Sequence, residues 1–381
     1  MRGDRTDTSL IGNWWWTVDR YLLSSVGVLI AIGMVLIMAA SPAIAERNGL
    51  EAFYFVNRQA IFLLIGIVLI FSFSIMPTVL IRRLAALGFL VSLILLILVQ
   101  VGGYEVKGAK RWLSVFGLSI QPSEFVKPFF TVVTAWILAR KNMEEGFPGY
   151  RISAVLYLIV IVLLLVQPDF GMTMAISIVW CAQVFLAGLP VMWILFLVIG
   201  GCAGIISAYF IFPHVANRID IFLGLSSGDN YQSSKALEAF INGGFFGRGP
   251  GEGVLKHIIP DSHTDFIFAV AGEELGGVVV LFIIILFAFV FVRGFYRIFN
   301  ETNLFIVFAA AGLLIEFGMQ AIINMGVALS MLPNTGMTLP FISYGGSSTL
   351  AISISMGMIL AFTRRRYGTM ISENSKVLNI R

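Results

Sequence analysis

Ten apolar runs, each long enough to cross a bilayer as a helix, punctuate the chain. They lie at roughly 21–43, 57–76, 79–101, 122–140, 152–168, 170–188, 190–212, 266–292, 303–332 and 343–363. Several abut at a proline or glycine, as at Pro77, Gly171 and Pro190, so those connections are short. The pattern predicts an all-α polytopic membrane protein of about ten helices. It divides into a tail over 1–20, a transmembrane domain over 21–363 and a second tail over 364–381. Two polar stretches interrupt the domain, a short one at 102–121 and a large one at 213–265 between the seventh and eighth runs. The large loop holds a helical pattern, YQSSKALEAF (Tyr231–Phe240), and a glycine-rich turn, NGGFFGRGPGEG (Asn242–Gly253). A long loop of this kind between spans is more often functional than filler, and its glycines read as hinges.

Composition agrees with the pattern. The chain is 58% hydrophobic and 12% charged, with a mean hydropathy of +0.92. A soluble protein of this length would carry about twice that charge. The formal net charge of +4 reflects a bias among loops and gives no sign of nucleic-acid binding. With the amino terminus inside, fifteen Lys and Arg fall on the cytoplasmic side and nine on the other, four of those nine in the 213–265 loop. Both termini are therefore expected inside, with the loops at 102–121 and 213–265 outside. Trp14, Trp15 and Trp16 form an interfacial foot before the first run. That run is too long for a cleaved leader, despite the A-x-A look of SPAIAER after it. Cys181 and Cys202 lie in apolar runs and read as small core residues without a disulfide.

Chemistry concentrates where polar residues meet membrane helices. In HIIPDSHTDFIFAVAGEELG (His257–Gly276), a polar run with Asp261, His263, Thr264 and Asp265 joins an apolar helix without a linker. Glu273 and Glu274 follow two turns in. A carboxylate at bilayer depth costs about 2.5–3.5 kcal/mol and usually marks a substrate or proton path. Asp265, at the water-facing mouth, reads as the reactive group. His263 either orients Asp265 or is a plain interfacial histidine. In QPSEFVKP (Gln121–Pro128), Glu124 and Lys127 stand i, i+3 on one face, as a structural ion pair or as cavity residues. In QPDFG, Asp169 is either the N-cap of the next helix or functional. Glu316, Gln320 and Asn324 form an i, i+4, i+8 stripe, read first as interhelical hydrogen bonding. LPNTGMTLPFISYGGSS (Leu332–Ser348) breaks the helix and lays down Ser343 and Tyr344 beside glycines, a backbone tolerated only where it lines a cavity or is buried. No metal-ligand spacing, Walker loop or dinucleotide fingerprint is present, so energy for chemistry would have to come from the substrate.

Together GAKRWL, QPSEFVK, QPDFG, GRGPGEG, PDSHTDFIFAVAGEELG, NMGVALSMLPNTGMTLPFISYGGSS and the closing RRR resemble the SEDS (RodA/FtsW) family of bacterial wall glycosyltransferases. TLPFISYGGSS and WWWTVDR are closer to its division branch than to its elongation branch. Asp261 and Ser262 depart from the family pattern, and the chain lacks a long cytoplasmic tail. The resemblance implies polymerisation of lipid II into β-1,4 glycan strands at the septum, in the bacterial inner membrane. It implies a class B penicillin-binding protein and other divisome membrane proteins as partners. The family's key aspartate falls on Asp265 and its polar pair on Glu124 and Lys127. A departing pyrophosphate needs cations, for which Lys127, Arg111 and Arg248 are candidates, along with a divalent cation such as Mg or Mn. Asp169, His263, Ser343 and Tyr344 complete the expected substrate-binding set. A transporter that flips lipid II is the competing reading, because broken helices and intramembrane charges also mark transporters. It would need polar groups on both sides of the midplane, whereas those named here map to the outer half.

Overall fold

The computed structural model describes residues 9–106, 109–115, 117–211, 215–216, 219–220 and 231–365. Residues 1–8 and 366–381 of the two expected tails, much of 212–230, and with them Arg2, Arg5, Lys107, His214, Arg218, Arg366, Lys376 and Arg381, lie outside the described residues. Each expected span coincides with a helix. These are α2 (Arg20–Arg47), α3 (Tyr54–Ile75), α4 (Thr78–Gly102), α5 (Pro122–Met143), α6 (Gly149–Val166), α7 (Phe170–Leu186), α8 (Val191–Ile211), α10 (Ile267–Ile298), α11 (Leu304–Ala328) and α12 (Gly346–Phe362). Among the described residues six of them, α2, α3, α4, α6, α10 and α11, are long and apolar enough to cross a membrane. The chain is an all-α, multi-pass membrane protein. Two further helices flank this set, α1 (Leu10–Thr17) before it and α9 (Tyr231–Gly243) in the large loop.

The bundle is centred on α11. Its apolar window is 78% buried inside the protein, against 22–39% for the other five long helices. It packs on α5, α7, α10 and α12, while α3 closes over α12. Connectivity gives the bundle two distinct ends. At one, Asp19 caps α2 through the Tyr21 and Leu22 amides and binds Arg293 at 2.8 Å and Arg297 at 3.0 Å from the last turns of α10. Arg364, after α12, donates to the Ser74 and Ile75 carbonyls and to the Thr17 hydroxyl. The tryptophan foot is α1 itself: Trp14 is buried and donates to Ser74 at 2.9 Å, while Trp15 and Trp16 are exposed. The opposite end collects every residue singled out for chemistry.

Two expectations need correction there. The stretch after α4 folds as three short antiparallel strands, β1 (Tyr104–Val106), β2 (Ala109–Val115) and β3 (Leu118–Ile120), in the order β1-β2-β3. The eighth run is not one continuous helix. Gly276 has φ +80° and ψ 174°, which divides α10 into Ile267–Leu275 and the stretch from Gly277 to Ile298.

That break explains the glycine-rich loop, whose glycines were read as hinges. Breaking a helix frees carbonyls and amides, each of which needs a partner in a dry setting. Here Arg248 and Gly249 donate their amides to the Glu273 and Glu274 carbonyls, both at 3.0 Å. The Gly277 and Val278 amides reach the Gly244 and Phe245 carbonyls at 2.9 and 3.2 Å. A Cβ at Gly247 would lie 2.2 Å from the Glu274 oxygen, and one at Gly243 would lie 1.9 Å from the Gly272 oxygen. These glycines allow close backbone approach and hold the loop against α10.

Candidate functional site

Asp265 sits in the turn before α10, half-buried, on a shelf gripped through its backbone. Asp261 starts the turn at φ +57°, a conformation that aspartate tolerates better than most residues. Its carbonyl accepts from the Thr264 amide at 3.0 Å and the Thr264 hydroxyl at 3.1 Å. The carbonyls of His263, Thr264 and Asp265 are claimed by two segments, the loop before α12 and α11. Tyr344 donates its amide to the His263 carbonyl at 2.9 Å. Ser343 donates its hydroxyl to the Thr264 carbonyl at 2.6 Å. Asn324 of α11 donates to the Asp265 carbonyl at 2.9 Å and to the Met337 carbonyl at 2.7 Å. Three consecutive carbonyls bound to two separate segments fix the backbone, so the Asp265 carboxylate is aimed by the fold.

One turn deeper on α11, the same stripe meets α5. Lys127 donates to Gln320 at 2.7 Å and bridges Glu124 at 2.8 Å, with all three side chains buried. Gln320 passes hydrogen bonds on to the Thr338 carbonyl and the Ser348 hydroxyl, and Thr131 donates to Glu316 at 3.4 Å. The stripe therefore makes the interhelical hydrogen bonds expected of it, and α11 connects the Asp265 shelf to the Glu124–Lys127 pair. This buried cluster holds two carboxylates and one ammonium, Glu124, Glu316 and Lys127. That is an expensive arrangement in apolar surroundings unless charge or protons are exchanged there.

The remaining candidates divide by what already occupies them. Arg111 on β2 donates to the Gln167 carbonyl at 3.2 Å and to the Pro168 carbonyl, and lies 3.7 Å from Asp169. Asp169 caps α7 through the Met172 amide at 3.4 Å and stands within electrostatic range of Glu124 and Lys127. GAKRW and QPDFG thus form one latch beside the cluster. The hydroxyl of Ser343 is used inside the protein, since it also accepts from the Leu339 amide at 2.8 Å. His263 and Tyr344 pack against Phe55 and each other, with ring centroids 4.9–5.2 Å apart. Arg248 is 3.8 Å from Glu273, and its side chain is 40% exposed, so its guanidinium is open to water.

Glu273 and Glu274 take a role that the sequence reading did not give them. The Glu273 carboxylate accepts the Val254 and Leu255 amides. Glu274 accepts the Gly251 amide at 2.9 Å and bridges Lys256 at 2.8 Å, the Lys256 side chain being 6% exposed. The Lys256 carbonyl in turn receives the Ser262 hydroxyl. These carboxylates bind the loop that leads into the Asp265 turn. Lys256 was overlooked, although an isolated lysine ahead of a Glu-Glu pair carries a complementary charge signal. Among the described residues no three His, Cys, Asp or Glu side chains gather as a metal cage. A divalent cation here would need oxygens from a substrate phosphate beside Asp265.

A half-buried carboxylate on a rigid shelf, joined through α11 to a buried ammonium, can take a proton from a hydroxyl while cations meet a leaving anion. The model of the FtsW/RodA/SpoVE cell cycle proteins matches residues 20–368. A probable peptidoglycan glycosyltransferase FtsW from Caulobacter vibrioides is 46% identical over 365 residues, covering 96% of this chain and 94% of the relative. Its namesake in Escherichia coli O6:H1 is 36% identical over 352 residues, covering 90% and 85%. Among solved structures, a chain of a peptidoglycan synthase complex that coordinates polymerization and crosslinking superposes with a TM-score of 0.75. It shares 28% identity and covers 92% of this chain and 98% of its own. The rod shape determining protein RodA of Thermus thermophilus gives a TM-score of 0.70 at 29% identity, covering 93% and 99%. The chain belongs to the FtsW/RodA/SpoVE family of cell cycle proteins.

Proposed function

We propose that the protein is a peptidoglycan glycosyltransferase that polymerises lipid II for septal wall synthesis, with Asp265 as general base. The observation that carries this reading is the shelf, because three captured carbonyls fix the backbone from which the Asp265 side chain projects. The acceptor hydroxyl gives its proton to Asp265 as its oxygen bonds to the donor's anomeric carbon. The bond from that carbon to the lipid pyrophosphate breaks, and the pyrophosphate leaves with the electron pair. Lys127 and Arg248 are the cations for that charge: Arg248 is open to water, and Lys127 can exchange its bond to Glu124 for the leaving anion. The enzyme sits in the inner membrane with both termini cytoplasmic. It works at the septum with a class B penicillin-binding protein that crosslinks the strands, among other divisome membrane proteins.

The test is glycan polymer from lipid II on gels, with purified protein and its cognate transpeptidase in detergent. Asp265→Asn keeps the size and hydrogen bonding of the side chain but removes the base, a loss of about 10²–10⁴ in rate. Retention of more than about a tenth of wild-type polymer would remove Asp265 from that role. Absence of polymer from the wild type while lipid II still crosses proteoliposome membranes would favour the transporter reading.

A further inference from the structure

At the end of the bundle away from Asp265, α4, α5 and α11 border an open recess of about 390 Å³ that the polymerisation chemistry does not use. Its wall includes Thr78, Arg82, Trp136, Arg140, Glu144 and Asn303. Two guanidinium groups face one carboxylate, and that carboxylate is taken, since Glu144 binds Arg140 at 2.9 Å. Arg82 stacks on Trp136 with its guanidinium carbon 5.1 Å from the ring centroid, and among the described residues no acidic side chain pairs with it. The first turn of α4 also borders the space, at Thr78, so one helix amino terminus adds partial positive charge, while that of α11 is capped by Asn303 and the Glu301 carboxylate. Beside the cavity the outer face of α4 shows Val79, Leu80, Leu87, Leu90 and Val91, all exposed and apolar. A positive recess at helix ends, continuous with a lipid-facing stripe, fits a phosphate that carries acyl chains. Basic recesses between membrane helices are built for anionic headgroups.

We infer that this cavity binds the headgroup phosphate of an anionic phospholipid, with Arg82 and Arg140 on the phosphate, Trp136 at the interface and the acyl chains along α4. The ligand's chemistry follows from the cavity itself; only the choice of leaflet, the cytoplasmic one, rests on the proposed orientation.

The experiment uses full-length protein in detergent and counts phospholipid adducts by native mass spectrometry. The probes are phosphatidylglycerol and, as its zwitterionic comparison, phosphatidylcholine. Wild type should retain phosphatidylglycerol over phosphatidylcholine. R82Q and R140Q should each weaken that retention about fivefold, the usual worth of one basic residue at an anionic surface. E144Q should strengthen it, because Arg140 is then released. R83Q, an exposed arginine that does not line the cavity, should stay within about twofold of wild type. Equal retention of the two lipids overturns the inference, as does a loss in R83Q as large as in R82Q. Displacement of the lipid by millimolar inorganic phosphate would also overturn it, reducing the cavity to a simple anion site. Because E144Q is expected to gain binding, a misfolded arginine variant does not leave the question open.

Discussion

Removing the charge of Lys127 separates a structural ion pair from a catalytic one. Lys127→Met deletes two contacts at once, the 2.8 Å bridge to Glu124 and the 2.7 Å hydrogen bond to Gln320. Glu124 is 3% exposed, so it would be stranded as a buried unpaired carboxylate. Losing one partner of such a pair costs about 3–5 kcal/mol. The double variant Glu124→Gln/Lys127→Met removes one charge of each sign and leaves the formal charge of the cluster, including Glu316, as it was. Most of the lost stability should therefore return, with a coupling of at least about 2 kcal/mol between the two sites. Neutral hydrogen bonds between membrane helices contribute only about 0.6 kcal/mol on average, so the recovery would come from removal of the stranded charge. Polymer yield should not recover. If the ammonium meets the leaving pyrophosphate, both variants should remain about 10²-fold or more below wild type. Stability is read from denaturant unfolding in mixed micelles followed by tryptophan fluorescence, and activity from lipid II polymer at matched folded protein. A double variant within about threefold of wild-type activity would return Lys127 to a structural role. Additive losses of stability would show that the pair is not coupled at all.

Three other outcomes follow from the geometry. Gly247→Ala places a Cβ 2.2 Å from the Glu274 carbonyl at φ +78°, and should destabilise by more than about 2 kcal/mol. Gly244→Ala, at φ +55° with nothing within 4 Å, should cost only about 1 kcal/mol, so unfolding midpoints of the two variants should differ clearly. Asn324→Ala frees the Asp265 and Met337 carbonyls and should lower unfolding stability by about 1–3 kcal/mol; at matched folded protein polymer formation should still fall about 10²-fold, because a shift of about 1 Å at the reacting group suffices. Asp19→Asn, at the other end, weakens bonds to Arg293 and Arg297 and should lower unfolding stability by about 2 kcal/mol with activity per folded molecule unchanged.

Much of this was legible because the bilayer leaves few options. Runs of about twenty apolar residues must be helices, and all ten expected positions carry one. The position of Asp265 just before a helix was legible because a polar run collides with a helix start, and the i, i+4, i+8 spacing of Glu316, Gln320 and Asn324 announced one helix face. What holds Asp265 was not legible, since the acceptors are backbone carbonyls, which every residue has. The strands at Tyr104–Ile120 were hidden because two of them have only three residues and the seven of β2, AKRWLSV, do not alternate cleanly between polar and apolar. Gly276 and Gly277 stood in plain view, but unbroken apolarity on both sides masked the break.

The break itself links membrane thickness to the site. A straight helix from Ile267 to Ile298 would be about 48 Å long, against a hydrocarbon core of about 30 Å. Its polar amino end would be carried well beyond the interface, and Asp265 with it. Starting the spanning segment at Gly277 leaves about 33 Å, which matches the bilayer, and frees Ile267–Leu275 to act as a separate buttress. That arrangement costs helix hydrogen bonds at the break. The loop replaces them only because Gly243, Gly247 and Gly276 let two backbones meet at hydrogen-bonding distance. Glu273 and Glu274 then bind the same loop through its Gly251, Val254 and Leu255 amides and through Lys256. The carboxylates inside α10 and the glycines 30 residues before them therefore solve one problem, how to stop a membrane helix early enough that an aspartate stands fixed at its mouth.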